Sequence, residues 1–266
     1  IIVQPATPDL DACGWAEGNR EYIQTLVNKH AGILFRDFPL KTPEEFESFA
    51  KAICPGLYGD YGDLPKKEGG DKTYKSTPYP EDEMILYHNE SSHLHKWPTK
   101  QWFFSEVVAP IGGETPIVDC REMYRLMPQD MLQKLEQKQL LYVRNFTEQL
   151  DVSWQDFFKT ELKEVVEDRC QEEGMEYEWL GDNELQTRTL CPAVITHPVT
   201  GAKSFFNQIQ LHHIYCLESD VRDGLLDMVG LEKMPRNVYY GDGTPIEDRV
   251  METISKLYEE CAGRFK

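Results

Sequence analysis

Ile85-Leu86-Tyr87-His88-Asn89-Glu90-Ser91-Ser92-His93-Leu94-His95-Lys96-Trp97-Pro98 is the stretch that organises the reading of the chain. It opens as an apolar strand and ends in a cluster of metal-ligating side chains. Alternate side chains of an extended strand share a face, so His88 and Glu90 can close on one ion while Asn89 points away. Imidazole plus carboxylate suits a mid-row divalent metal. A His-x-Glu tripeptide alone is a weak signal, because it occurs by chance in many chains.

The surrounding motifs supply the specificity. Ser76-Thr77-Pro78-Tyr79-Pro80 precedes the strand, and Gly112-Gly113-Glu114-Thr115-Pro116 with Val118-Asp119 follows it. Ile33-Leu34-Phe35-Arg36-Asp37-Phe38 lies upstream, while His197-Pro198-Val199-Thr200-Gly201, Phe206-Asn207-Gln208 and Tyr240-Gly241-Asp242-Gly243-Thr244-Pro245 lie downstream. In this order, over nearly the whole chain, the set resembles the TauD/TfdA family of Fe(II)- and 2-oxoglutarate-dependent dioxygenases, in particular its SyrP-like branch. One part of the family pattern is not present. The closing Trp-x-x-Gly-Asp strand, the distal His ligand and the Arg that pairs with the co-substrate are expected beyond Lys266.

The resemblance implies a mainly β fold with flanking helices (α+β), a double-stranded β-helix or jelly roll of the 2-oxoglutarate oxygenase type. It implies one oxygenase domain over 1–266, with its last strands missing and a helical lid-like insertion at about 147–184. A solvated helical hairpin far from the chemistry is the alternative for that insertion. Metal ligation falls to His88 and Glu90, with the cofactors Fe(II), 2-oxoglutarate as co-substrate and O₂, and two His plus one carboxylate is the arrangement of such iron sites. Thr115 matches the position that hydrogen-bonds a 2-oxoglutarate carboxylate, although a turn threonine reads equally simply. His93 and His95 follow the ligand strand too closely to swing onto the opposite strand, and are expected at the mouth or on substrate. Asn207 and Gln208 suit substrate contacts or strand-tip positions. His212 and His213 are the first candidates within the chain for a third ligand.

The reaction implied is hydroxylation of an unactivated C–H bond in an amino-acid-like small molecule, free or tethered to a carrier protein. Glu90 fills the position that halogenating variants leave open, so halogenation is disfavoured. Two other readings stand beside this one: a non-catalytic jelly-roll binding module that has lost the distal His and Arg, and a cupin-like metal enzyme that ligates through His212 or His213.

Composition sets the class. The 266 residues, 40% hydrophobic and 11% aromatic, can bury a full core as one large domain. No run of about 18 apolar residues is present, so no membrane span is expected, and the chain reads as cytoplasmic. Seven cysteines at 13, 54, 120, 170, 191, 216 and 261 are odd in number and form no Cys-x-x-Cys pair. Reduced thiols follow, rather than a disulfide framework or a zinc site. A net charge of −18 repels nucleic-acid phosphates and anionic membranes. It also argues weakly against docking an acidic carrier protein. Oligomeric state leaves no mark on the sequence.

Local patterns predict the elements. Ile23, Leu26, Val27 and His30 sit at helical spacing, with Gly32 placed to end that helix. Thr42-Pro43-Glu44-Glu45 is a capping box that opens a helix through Ile53. Residues 56–73 read as a mobile loop, and Tyr74–Asp119 as β-rich, with Gln101–Val108 a strand apolar on both faces. Helical periodicity over 121–137, a strand at Leu140–Phe146, two strands at Arg188–Thr196 and Lys203–Gln210, and a helix over Pro245–Cys261 complete the expectation.

Overall fold

The computed structural model describes residues 1–58, 70–76, 79–80, 83–147, 150–181 and 183–265. The chain runs β1 (Ile2–Val3), α1 (Ala12–Gly18), α2 (Arg20–His30), β2 (Leu34–Phe35), α3 (Pro43–Ile53) and β3 (Thr115–Val118). It continues with α4 (Cys120–Leu126), α5 (Gln129–Lys138), β4 (Leu140–Phe146), α6 (Trp154–Phe158), α7 (Lys163–Glu173), β5 (Glu176–Leu180) and β6 (Glu184–Cys191). Last come β7 (Val194–Thr196), β8 (Lys203–Phe205), α8 (Ile209–His212), α9 (Ser219–Val229), β9 (Arg236–Tyr240), α10 (Asp248–Cys261) and β10 (Ala262–Phe265). This is a mixed α+β protein whose described residues form several small sheets, mostly antiparallel, and no closed barrel. Residues 59–69 of the expected mobile loop, and Thr77 and Pro78 of the upstream motif, lie outside the described residues.

Two compact units divide the chain. The first comprises Ile1–Met84, Pro98–Ile117 and Gly263–Lys266. Its best-specified element is α3. Thr42 accepts from the Glu45 backbone N–H, and the Glu45 carboxylate reaches back to the Thr42 N–H, so the predicted capping box closes in both directions. Phe49 and Ile53 then pack on Ala12, Ala16 and Ile23, with Trp15, Phe35 and Phe38 in edgewise and tilted ring contacts around them. Helix α2 ends one residue earlier than expected, with Ala31 rather than Gly32 in the left-handed conformation (φ 62°). The expected β-rich run is corrected here. Among its described residues only β3 is a strand, and Gln101–Val108 carries none. Phe103 is 70% exposed and Val107 84%, so those apolar side chains face no second layer that would make a two-sided strand of them.

The second unit comprises Ile85–Trp97 and Val118–Ala262, and is built on an antiparallel sheet of order β5-β6-β4-β9. Leu140, Tyr142, Val238 and Tyr240 from this sheet enter a core with Met123, Leu135, Phe205, Ile209, Ile254 and Tyr258. The helical run over 121–137 is split into α4 and α5, because the residue before Pro128 is held out of the helical region (Met127 ψ 137°). Beyond the hairpin β7-β8 the expected second strand stops at Phe205, and the chain turns into α8. Gly241 approaches the Lys138 carbonyl so closely that no side chain fits there, which accounts for the glycine in Tyr240–Pro245.

The 147–184 insertion holds two helices, as expected, and also a strand. Glu176-Tyr177-Glu178-Trp179-Leu180 alternates polar with apolar residues and pairs as β5 along β6. Phe146 and Leu185 pack with Trp154, Phe158, Val166 and Cys170 of the insertion. The segment 85–90 departs most from expectation. It forms no strand: residues 85–89 carry no regular element and Glu90 begins a turn, and among the described residues its backbone bond to a distant part of the chain runs from the Asn89 N–H to the Asn207 carbonyl, at 3.1 Å. What faces it is the irregular link between β8 and α8, which supplies single bonds rather than a ladder.

On β4 the alternation places Tyr142, Arg144 and Phe146 on one face. Register sets Arg144 directly opposite Arg236 of β9. Like charges in that position repel, and Asp151 offsets them: its Oδ2 lies 3.1 Å from Arg144 Nη2 and 3.1 Å from Arg236 Nε. Burial works against the Asp151 carboxylate, but the two guanidinium groups outweigh it and hold its pKa below the ordinary range. A depressed carboxylate stabilises the fold above its unfolded pKa of about 3.9, and that stabilisation is lost as pH falls through the folded value. Asp151→Asn should therefore cost about 1–3 kcal/mol at pH 7. Chemical denaturation at a series of pH values should show the difference from wild type shrinking below about pH 4.

Candidate metal centre

His88 and Glu90 lie in the second unit, where an irregular segment leads into the turn at Glu90–His93. Their side chains meet: His88 Nε2 is 3.6 Å from Glu90 Oε2, and both are partly buried. Two donors about 2.1 Å from one ion at a right angle lie about 3 Å apart, so a small rotation closes the pair on a metal. The His88 tautomer is fixed from behind. Nδ1 sits 2.7 Å from the Leu86 carbonyl, which can only accept, so Nδ1 carries the hydrogen and the Nε2 lone pair faces Glu90. Burial opposes a charged His88 ring, but the Glu90 carboxylate and the Leu86 carbonyl outweigh it and raise its pKa above the usual value.

Asn89 points away from this pair and ties it down. Its side-chain oxygen accepts from the Asn207 N–H at 3.1 Å, its own N–H donates to the Asn207 carbonyl, and its carbonyl accepts from Gln208 Nε2 at 3.0 Å. Asn207 is fully buried; it donates through Nδ2 to the Ala193 carbonyl and accepts from the Ile209 N–H. The Gln208 N–H donates to the Tyr142 hydroxyl at 2.9 Å. The structure thus places Asn207 and Gln208 in a clamp that sets where residues 88–90 lie.

The remaining expected residues take several positions. His93 stands edge-on to Tyr142 and 5.2 Å from the His212 ring, and its Nδ1 is buried without a hydrogen-bond partner. Burial, reinforced by Arg144, pushes the His93 pKa down to about 4. His95 is exposed, with Nε2 2.9 Å from the Leu190 carbonyl and its ring against Gly174. Thr115 opens β3 in the first unit, exposed, after a turn in which Gly113 (φ 77°) has no room for a side chain beside Ala109. His212 Nδ1 bonds back to the Gln208 carbonyl, and His213 accepts from the Tyr215 N–H. Among the described residues no group of three His, Cys, Asp or Glu side chains converges on one point, so neither His212 nor His213 completes a three-ligand set with His88 and Glu90.

The profile of the family described as taurine catabolism dioxygenase TauD, TfdA family matches residues 4–266. The chain belongs to the TauD/TfdA family. Dapdiamide synthesis protein DdaC of Enterobacter agglomerans is 33% identical over 233 residues, 87% of this chain and 71% of that protein. Clavaminate synthase-like protein At3g21360 of Arabidopsis thaliana is 29% identical over 255 residues, 91% of this chain and 74% of that protein. TauD/TfdA proteins are oxidoreductases that use Fe(II), 2-oxoglutarate and O₂, and the donor set of His88 and Glu90 fits two of the three ligands such an iron needs. No helix among the described residues is long and apolar enough to cross a membrane.

Sequence reasoning did not find the Asn89 clamp, the His93–His212–Tyr142 ring cluster, or the arginine pair. A signal existed for one of them: Arg144 interrupts the apolar run Leu140–Val143, where a charge needs a partner. The clamp is testable by itself. Asn207→Ala removes the bonds to Ala193 and Ile209 from a fully buried site and should cost about 1–3 kcal/mol, read from equilibrium denaturation.

Proposed function

We propose that the protein is an Fe(II)/2-oxoglutarate-dependent oxygenase that hydroxylates an unactivated C–H bond of an amino-acid-like small molecule, within the jelly-roll fold of its family. The observation that carries this reading is the His88 Nε2–Glu90 Oε2 pair, tautomer-set by Leu86 and held by the Asn89 clamp. Two protein ligands on one short segment, one neutral and one anionic, suit a divalent iron. When bound there, Fe(II) with 2-oxoglutarate and O₂ supplies the oxidising chemistry, leaving succinate and CO₂ and placing one oxygen atom in the substrate.

The chain's own residues do the rest. Glu90 supplies the anionic ligand, and by occupying that position it favours hydroxylation over halogen transfer. Thr115 would donate its hydroxyl to a 2-oxoglutarate carboxylate. His93 and His95 are substrate contacts in this reading, with Asn207 and Gln208 contributing through the segment they hold. We read the whole chain as one cytoplasmic oxygenase domain with 147–184 as its lid, its third iron ligand being the distal His of the family pattern. The names of the two relatives, one in dapdiamide synthesis and one clavaminate-synthase-like, support a small amino-acid-derived substrate, free or carrier-tethered. A second reading, a binding module of this family without turnover, draws on the two-ligand set among the described residues.

Succinate formation separates them. The full-length protein with Fe(II), ascorbate and 2-oxoglutarate should form succinate when given its substrate. Glu90→Ala should abolish this, whereas Thr115→Val should mainly raise the 2-oxoglutarate concentration required. No succinate with any amino-acid-like substrate would favour the binding module, whereas wild-type rates from Glu90→Ala would overturn Glu90 as a ligand.

A further inference from the structure

A cleft of about 230 Å³ opens along β9, the edge strand of the second unit's sheet. Its walls come from β9, from α9 and from the segments around His213 and Ile246. Asn237 and Tyr239 alternate along β9 with Val238, which stands opposite Tyr142. Their side chains therefore lie on the sheet face turned away from Tyr142 and its histidine rings. The iron chemistry makes no use of them.

The lining brings one charge of each sign. Arg222 and Leu226, one helical turn apart on α9, face the cleft together. The Arg222 side chain is 30% exposed, and its Nε lies 3.3 Å from the carboxylate of Asp223, a residue on the solvent side. Among the described residues its two Nη groups take no partner. Asp248 opens α10, is exposed, and pairs with no cation among the described residues. His213 adds no charge: burial pushes its pKa down to about 4, against the pull of Asp248 and a hydrogen bond to the Ile246 backbone. Asn237 is already satisfied, its Oδ1 accepting from the Val238 N–H at 2.9 Å and its side chain bonding Tyr239. Arg222 and Asp248 thus line one cleft without pairing with each other, so a ligand that carries both signs can bridge them. A cavity of roughly 150 Å³ holds a benzene ring, so this one suits a ligand on the order of ten non-hydrogen atoms. Helix α9 has no fully buried side chain, and such a bridge would tie it to α10.

The geometry points to a second binding site, for a free α-amino acid with a medium-sized apolar side chain. Arg222 takes the carboxylate through its Nη groups, Asp248 takes the ammonium, and Leu226, Leu231 and Ile246 receive the side chain. The site goes beyond the oxygenase reading and does not depend on it. An N-acylated amino acid or a carrier thioester lacks one of the two charges and is rejected.

Calorimetric titration of the full-length protein tests this with L-leucine, with isocaproate, which lacks the ammonium, and with isoamylamine, which lacks the carboxylate. Leucine should bind saturably, and each analogue about tenfold more weakly or worse, since each forfeits a charge-assisted contact. Arg222→Gln and Asp248→Asn should each weaken leucine about tenfold, with Arg222→Lys, which keeps the charge and loses the fork, in between. Neither side chain is buried, so the unliganded variants should melt with the wild type. Glu90→Ala should leave leucine affinity unchanged; its loss there would put leucine at the metal centre and overturn the second site. Binding of either analogue as tight as that of leucine, or equal affinity in wild type and Arg222→Gln, also overturns it. So does the absence of saturable binding by leucine, methionine and valine alike.

Discussion

The second unit depends on how Asn89 is held. A short irregular segment outside any sheet has no ladder to fix it, so its position rests on single hydrogen bonds. Three of these converge on one residue: Asn207 and Asn89 exchange backbone and side-chain bonds, and Gln208 grips the Asn89 carbonyl. Because Asn207 and Gln208 are buried, no water competes for those groups, and breaking a bond leaves a polar atom unsatisfied. His88 and Glu90 flank this fixed point and are presented together by it. Side chains held in this way need little rearrangement to act together.

The clamp also connects the ligand segment to the sheet. The Gln208 backbone donates to the Tyr142 hydroxyl, and Tyr142 carries the rings of His93 and His212 on the face that continues to Arg144. One β-strand thus supports the segment around Asn89 through its tyrosine and the ion pair with Asp151 through its arginine. The two are spaced by strand geometry and not by loop conformation, which makes their separation a rigid property of the fold.

Local rules made some of this legible. The capping box at Thr42 and Glu45 sets the start of α3, and the stripe of Val250, Ile254 and Leu257 describes α10, since both patterns are complete within one turn or one helix face. His88 and Glu90 do meet, at 3.6 Å, although the expected strand is absent and Glu90 already begins a turn. Gln101–Val108 shows the converse: an apolar run suggests burial, yet Phe103 is 70% exposed and Val107 84%. The opposition of Arg144 and Arg236 depends on the register of strands ninety-two positions apart in the chain, and no local pattern encodes that. Family motifs reach further, and they brought His88, Glu90 and Thr115 into one reading.

The central claim is that residues 88–90 form a preorganised iron site. Anaerobic titration of the full-length protein with Fe(II) and 2-oxoglutarate tests it most directly, by following the visible metal-to-keto-acid charge-transfer absorption. Wild type should develop the band, Glu90→Ala should lose it, and Asn89→Ala, which touches no metal, should need at least tenfold more Fe(II) to reach half its intensity. A band of equal strength and affinity in all three proteins, or none in the wild type, would contradict the account.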